Sequence, residues 1–148
     1  MTIILDANLA AAVAIPMEGT PRATQLMRSW KVDQERLLAP VLFEYEITTA
    51  LRRAIALRIM TYSEALEGMD IFLALGIEMV PPSRNLTTQA LNLAERIGQF
   101  KAYDAHYLAL ALDENAPFWT ADRRLATAAQ EAGLNRVHWV GDWRGNDD

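Results

Sequence analysis

Residues 101–125 read KAYDAHYLALALDENAPFWTADRRL. The stretch holds a helix from about Asp104, a short apolar strand from Pro117 to Thr120, and a new helix that opens at Asp122 and stops at Gly133. Strands that alternate with helices imply a mostly parallel sheet, because parallel neighbours must be joined by a crossover long enough to hold a helix. Two aspartates, Asp104 and Asp122, border otherwise apolar elements. A carboxylate at the start of each new element asks for a reason, and the reason depends on whether other acids arrive at the same place.

The rest of the chain repeats the alternation. Ile3-Ile4-Leu5 is an apolar run without polar alternation, as suits a strand buried on both faces of a parallel sheet, and Asp6 stands at its carboxyl end. Residues near 8 to 30 read as helix in two pieces, interrupted by Pro16 and the turn at 19 to 21; the pattern predicts a restart with Thr20 as N-cap and Pro21 in the first helical position. Leu37 to Ala39 is a second strand. From Pro40 the apolar residues at 42, 43, 47, 50, 51, 54 and 55 have the spacing of an amphipathic helix. A further helix begins after Thr61, and the short connection makes it the antiparallel neighbour of the one before. Ile77 to Val80 is a strand ended by Pro81-Pro82. A helix with Ser83 or Asn85 as cap and Gly98 as stop follows, and Arg136 to Val140 is the last strand. The expected architecture is α/β, three layers α/β/α around a central, mostly parallel sheet, as one domain over 1–148 with about 141–148 as a frayed tail.

Composition bounds the function. The length of 148 residues suits one domain. Asp and Glu (19) outnumber Lys and Arg (14), and the formal charge of -5 excludes a globally basic nucleic-acid binder. It does not exclude a nuclease, since a metal ion or a local patch draws phosphate to a chain of negative net charge. The absence of cysteine rules out disulfides, thiolate metal sites and a cysteine nucleophile, and is compatible with a reducing compartment. MTIILDAN has neither the basic flank nor the cleavage site of a signal peptide, and no apolar run approaches the roughly 18 residues of a membrane helix. A soluble, cytoplasmic protein without a membrane association is expected.

In an open α/β sheet the ligand site lies beyond the carboxyl ends of the strands, where the strand order reverses. Asp6 ends the first strand and Asp122 lies two residues past Thr120, so both belong to that edge; Asp104 opens its helix there. Glu46 lies inside the helix after the second strand, close to its apolar stripe, and a buried charge needs a partner. Each acid also has a plainer reading. Asp6, Asp104 and Asp122 can be helix caps or turn residues, and Glu46 can rim the apolar face and pair with Arg53. Four converging carboxylates without arginines would repel one another unless cations held them. Oxygen-only ligation with no cysteine and two histidines favours Mg²⁺ or Mn²⁺, whose chemistry on a phosphodiester is hydrolysis.

The set LDAN at 5–8, APVLFEYEITTAL at 39–51, YDAHYLALAL at 103–112 and TADRRLATAA at 120–129 resembles the PIN-domain ribonucleases, in particular the VapC-type toxins of toxin–antitoxin pairs, over essentially the whole chain. The resemblance implies a Mg²⁺- or Mn²⁺-dependent endoribonuclease whose ion is surrounded by Asp6, Glu46, Asp104 and Asp122. Asn8 and Thr120 match residues that support these acids by hydrogen bonding. Thr49 stands where an Asn is common, and Glu44, nearly opposite Glu46 on the helix, is not assigned. The resemblance further implies an RNA substrate, a cognate antitoxin that blocks the acidic pocket, and a homodimer.

Arg123 and Arg124 follow Asp122, and Arg52, Arg53 and Arg58 lie along the Glu46 helix; they read as a solvated face or as holders of RNA phosphates. His106 and His138 read as packing or surface residues, because a metal-activated water needs no histidine base. The tryptophans are scattered, with no spacing of a stacking platform. Leu57, Ile59, Met60, Leu66, Met69, Phe72 and Leu73 are expected to be ordinary core; the other reading is a dimer interface or a groove for an inhibitory peptide. Two rivals remain. One is a catalytically weak PIN-fold module that binds RNA or protein. The other is a phospho-accepting receiver domain, which needs an aspartate ending the third strand and a lysine ending the fifth, whereas Pro81-Pro82 and only Lys31 and Lys101 are present.

Overall fold

The structure is a computed structural model and describes residues 1–145. Five strands form one sheet: β1 (Thr2–Leu5), β2 (Arg36–Pro40), β3 (Glu78–Val80), β4 (Phe118–Thr120) and β5 (Val137–Trp139). Their order is β3-β2-β1-β4-β5 and every pairing is parallel. β1 is central, with Ile4 opposite Leu38 on one side and Phe118 on the other, and Ile3, Ile4 and Leu5 are all buried. That is why β1 is an unbroken apolar run: both of its faces meet helices.

Seven helices connect the strands: α1 (Ala7–Ala14), α2 (Thr20–Val32), α3 (Leu42–Ala56), α4 (Tyr62–Ala74), α5 (Arg84–Arg96), α6 (Tyr103–Asp113) and α7 (Arg123–Glu131). α1 packs on α2, α3 and α4, while α5 and α6 pack together and α7 lies beside β4 and β5; right-handed crossovers in this strand order put α1 to α4 on one face and α5 to α7 on the other. The chain leaves β1 towards β2 and returns through β4 on the opposite side. The reversal between β1 and β4 opens the crevice that such sheets use for ligands.

Local signals account for most boundaries. Thr61 and Glu64 form a reciprocal capping box on α4, and the Ser83 hydroxyl caps α5. Gly98 and Gly133 end α5 and α7 at φ +71 and +90, where a residue with a Cβ would be strained. Thr20 is a correction. Gly19 is the cap of α2, and the Thr20 hydroxyl instead donates to the Ile15 carbonyl (3.1 Å) and accepts from Met17 N–H (3.0 Å), closing the turn between α1 and α2.

The C-terminal segment is more ordered than the sequence suggests. Val140–Asp142 form a 3₁₀ turn, Trp143 packs against the core, and Arg22 of α2 donates to the Gly141 carbonyl. A Cβ on Gly141 would lie 2.2 Å from the Trp139 ring, so the indole lies where only glycine fits. Residues 146–148 of the expected tail fall outside the described residues. The apolar residues after Glu46 are the second departure: Met60 and Phe72 are core, but Leu57 (59%), Ile59, Leu66, Met69 and Leu73 (72%) are exposed. Among the described residues no helix is long and apolar enough to cross a membrane.

Candidate active site at the carboxyl edge of the sheet

Asp6 follows β1 directly, and its N–H still pairs with the Trp119 carbonyl (3.3 Å), so it is held at the crevice between β1 and β4. It is 3% exposed. Oδ1 accepts from Leu9 N–H (2.9 Å), which caps α1, and Oδ2 accepts from the Thr120 hydroxyl. Burial pushes the carboxyl up to about 7; the two hydrogen bonds oppose this, and the charges of Asp104 and Glu46 add to it. Thr120, fully buried, also accepts from Asp122 N–H (2.9 Å) and so links the first acid to the fourth. Asp122 caps α7, its Oδ1 accepting from Arg124 N–H (3.0 Å) and Leu125 N–H (3.2 Å). For Asp6 and Asp122 the cap reading is therefore correct, and it also places both at the crevice.

Glu46 and Asp104 are not caps. Asp104 sits in the first turn of α6, which Ala102 caps without a side-chain bond, and its Oδ2 accepts from the Gln99 amide (3.0 Å). Burial holds it above the usual carboxylate range, with Gln99 opposing and the Asp122 charge adding. Glu46 is half-buried on α3. It pairs not with Arg53 but with the Tyr107 hydroxyl, which donates to Oε1 at 2.7 Å. Burial raises Glu46 as well, Tyr107 opposes, and the Asp104 charge adds. The same burial and the Glu46 charge push the Tyr107 phenol up, so it remains protonated and donates.

The four acids thus share one electrostatic neighbourhood: Asp6 with Asp104 and Glu46, Glu46 with Asp104, Asp104 with Asp122. Among the described residues none of them pairs with Lys or Arg; the ion pairs there are Met1 N-terminus to Glu35 and Arg36 to Glu78. Every partner of the four acids is neutral. This donor chemistry fits a hard divalent cation: all candidate donors are oxygens, none is paired with a basic side chain among the described residues, and each acid is held by a hydrogen bond. Among the described residues no three His, Asp or Glu groups stand at the mutual spacing of a formed metal site, so the acids flank a common space without closing on it.

A groove of about 1040 Å³ runs from this cluster between α1 and α3. Asn8, Tyr45, Glu46, Thr49, Tyr103 and Asp122 line its acidic end, and Ile15, Met17, Leu57 and Ile59 its apolar end. Asn8 is an exposed wall residue. The Thr49 hydroxyl donates back to the Tyr45 carbonyl (3.1 Å) rather than to an acid. Arg53 reaches the groove, Arg52 is exposed outside its lining, Arg124 is exposed, and the Arg123 guanidinium lies 5.0 Å over the Trp139 ring. His106 lines a separate apolar hollow with Pro81 and Pro82, and His138 packs 4.8 Å from Trp119, its pKa lowered first by burial and then by Arg136.

Residues 3–131 match the family model of the PIN domain. The chain belongs to the PIN domain family. Solved structures agree at the level of fold. VapBC2 from Rickettsia felis, bound to a DNA fragment from their promoter, superposes with TM-score 0.68 at 13% identity, covering 94% of this chain and 98% of that one. PAE2754 from Pyrobaculum aerophilum gives 0.67 at 18% identity over 95% and 85%. VapC20 from Mycobacterium tuberculosis, described as a Sarcin-Ricin loop cleaving toxin, gives 0.60 at 15% identity over 85% and 94%. No curated protein matches the chain. Membership of the PIN family removes the receiver-domain rival.

Sequence reasoning missed Gln99, Tyr107 and the groove tyrosines. Tyr107 carried a signal: a hydroxyl in the buried stripe of an apolar helix, three residues after Asp104, has to find a polar partner. Tyr45 (71% exposed) and Tyr103 (58%) each directly precede an acid. Gln99, in a loop, carried no signal.

Proposed function

We propose that this PIN-domain chain is a Mg²⁺- or Mn²⁺-dependent endoribonuclease and the toxin of a toxin–antitoxin pair. One observation carries the reading: four acids, bonded among the described residues only to neutral donors, flank one space at the edge where β1 and β4 diverge. Asp6, Glu46, Asp104 and Asp122 would hold the ion. When bound, such an ion supplies an activated water and stabilises charge on the leaving oxygen of an in-line displacement at phosphorus. Thr120 keeps Asp6 and Asp122 in fixed relation. Arg53 supplies a cation along the groove for RNA phosphate, with Arg52, Arg123 and Arg124 as further contacts on the same reading, and Asn8 a polar contact on the wall.

The partner reading rests on the other end of the groove. Ile15, Met17, Leu57 and Ile59 give it an apolar floor continuous with the acids, a shape that suits an antitoxin segment with an apolar helix and a basic end. The structural likeness to VapBC complexes supports this. The chain would act as one PIN unit, as a homodimer, in the cytoplasm. A second reading, a PIN-fold module that binds RNA or protein with little turnover, is favoured by the acids not yet standing at ligand spacing.

The test is cleavage of a structured RNA by the partner-free protein with Mn²⁺, with EDTA, and with Asp104→Asn. The nuclease reading expects cleavage only for the wild type with metal. RNA binding without any metal-dependent cleavage would leave the binding module in its place.

A further inference from the structure

Glu46 and Asp104 come from opposite helical layers, so nothing in the sheet sets their separation directly. α6 sets it twice. Asp104 belongs to α6, and Glu46 on α3 is tied to α6 by the Tyr107 hydroxyl across 61 residues of sequence. Positions 104 and 107 are one helical turn apart, so the tether and the acid rise on adjacent parts of one rigid element. Tyr107 itself cannot swing: it is 1% exposed and stacks on Phe118 with ring centroids 5.8 Å apart.

Gln99 is placed from the other side by its backbone. Gly98 turns the chain at φ +71, Gln99 N–H closes α5 on the Ala94 carbonyl (2.9 Å), and the side-chain amide reaches five residues on to Asp104 Oδ2. In both pairs one carboxylate oxygen is anchored. Among the described residues no hydrogen bond falls on the other, Glu46 Oε2 or Asp104 Oδ1. The donors are a phenol and an amide. A lysine or arginine in either place would hold the carboxylate but cancel the charge a cation needs, whereas a neutral donor orients it and leaves the charge intact.

We infer that Tyr107 and Gln99 are positioning residues for the metal centre, each fixing one oxygen of Glu46 or Asp104 and leaving the other to a divalent cation. The inference rests on the metal-dependent reading above. Neither residue touches the ion or the RNA; each acts through the acid it holds.

The experiment is calorimetric titration of Mn²⁺ into chelator-stripped, full-length wild type, Tyr107→Phe and Gln99→Ala. Calorimetry separates affinity from stoichiometry, and a merely structural defect removes binding-competent molecules while the remainder bind normally. The expected result is a Kd raised about 10- to 100-fold in each variant with the molar ratio unchanged. Gln99 lies in a loop, so its variant carries the test if Tyr107→Phe does not fold. Wild-type binding with variant Kd values within about twofold of it, or a fallen molar ratio at unchanged Kd, overturns the inference alone. A wild type that binds no Mn²⁺ overturns the metal reading and the inference with it.

Discussion

The two edges of the sheet treat their acids in opposite ways. At the amino edge Glu35 takes the N-terminal ammonium at 2.7 Å, and Glu78 at the start of β3 takes Arg36 at the start of β2, also at 2.7 Å. At the carboxyl edge Asp6, Glu46, Asp104 and Asp122 have hydroxyl, amide and backbone N–H partners and no cation among the described residues. The same sheet therefore gives these acids cationic partners at one end and only neutral ones at the other. Uncompensated charge is costly where it is buried, and the raised pKa values of Asp6, Glu46 and Asp104 are the mark of that cost. On the proposed reading, a cation from outside the chain offsets that cost.

The largest expected effect breaks the carboxyl edge. Asp6→Asn keeps the cap on Leu9 and can keep the bond to Thr120, because an amide oxygen accepts and an amide N–H can donate to the hydroxyl. The fold should survive, while Mn²⁺ affinity and RNA cleavage fall by about 100-fold or more. Retained cleavage at wild-type rate would remove Asp6 from the site.

The second effect is on stability and has a definite sign. Asp6 binds its proton more tightly folded (about 7) than unfolded (3.8), so between those values the folded state holds more protons. The chelator-stripped protein should therefore lose stability as pH rises from about 4 to about 7, by up to about 4 kcal/mol for a shift of this size. Glu46 and Asp104, also raised, act in the same direction. Asp6→Asn should flatten the fall, and Mn²⁺ should reverse it at pH 8 by binding only the folded state. Tm against pH for both proteins, with and without chelator, decides it; parallel curves would deny Asp6 its burial.

The third prediction converts one edge towards the other. Gln99→Lys places a cation against Asp104, as Arg36 stands against Glu78. The metal-free protein should gain slightly in Tm while Mn²⁺ affinity drops by about tenfold or more, stability and binding moving in opposite directions. A variant that loses both would mean that Gln99 serves the loop rather than the acid.

How much of this could be read beforehand follows from the range of each interaction. The strands at 3–5 and 118–120 were legible because burial on both faces leaves an unbroken apolar run, and the helix stops at Gly98 and Gly133 because they occupy left-handed backbone. Asp6, Asp104 and Asp122 stand at strand ends and helix starts, local features whose place at the carboxyl edge the fold class predicts, and Glu46 stands out as a charge beside an apolar stripe. Tyr107 on Glu46 was not legible, since a pairing across 61 residues leaves no periodicity behind. Nor was the exposure of Leu66, Met69 and Leu73, because an apolar helix face reads the same whether its own chain or another covers it.

The smallest effect should come from the amino edge itself. Arg36 donates to Glu78 through Nε (3.0 Å) and Nη2 (2.7 Å), but both side chains are more than half exposed, at 56% and 55%, and such pairs contribute little once water and salt screen them. Arg36→Ala should shift Tm barely at all in physiological salt. It should also leave Mn²⁺ binding untouched, for a reason of length: from Arg36 to Pro40 the strand rises about 13 Å, beyond the Debye length of about 8 Å. A changed Mn²⁺ affinity in Arg36→Ala would mean that the two edges share one field.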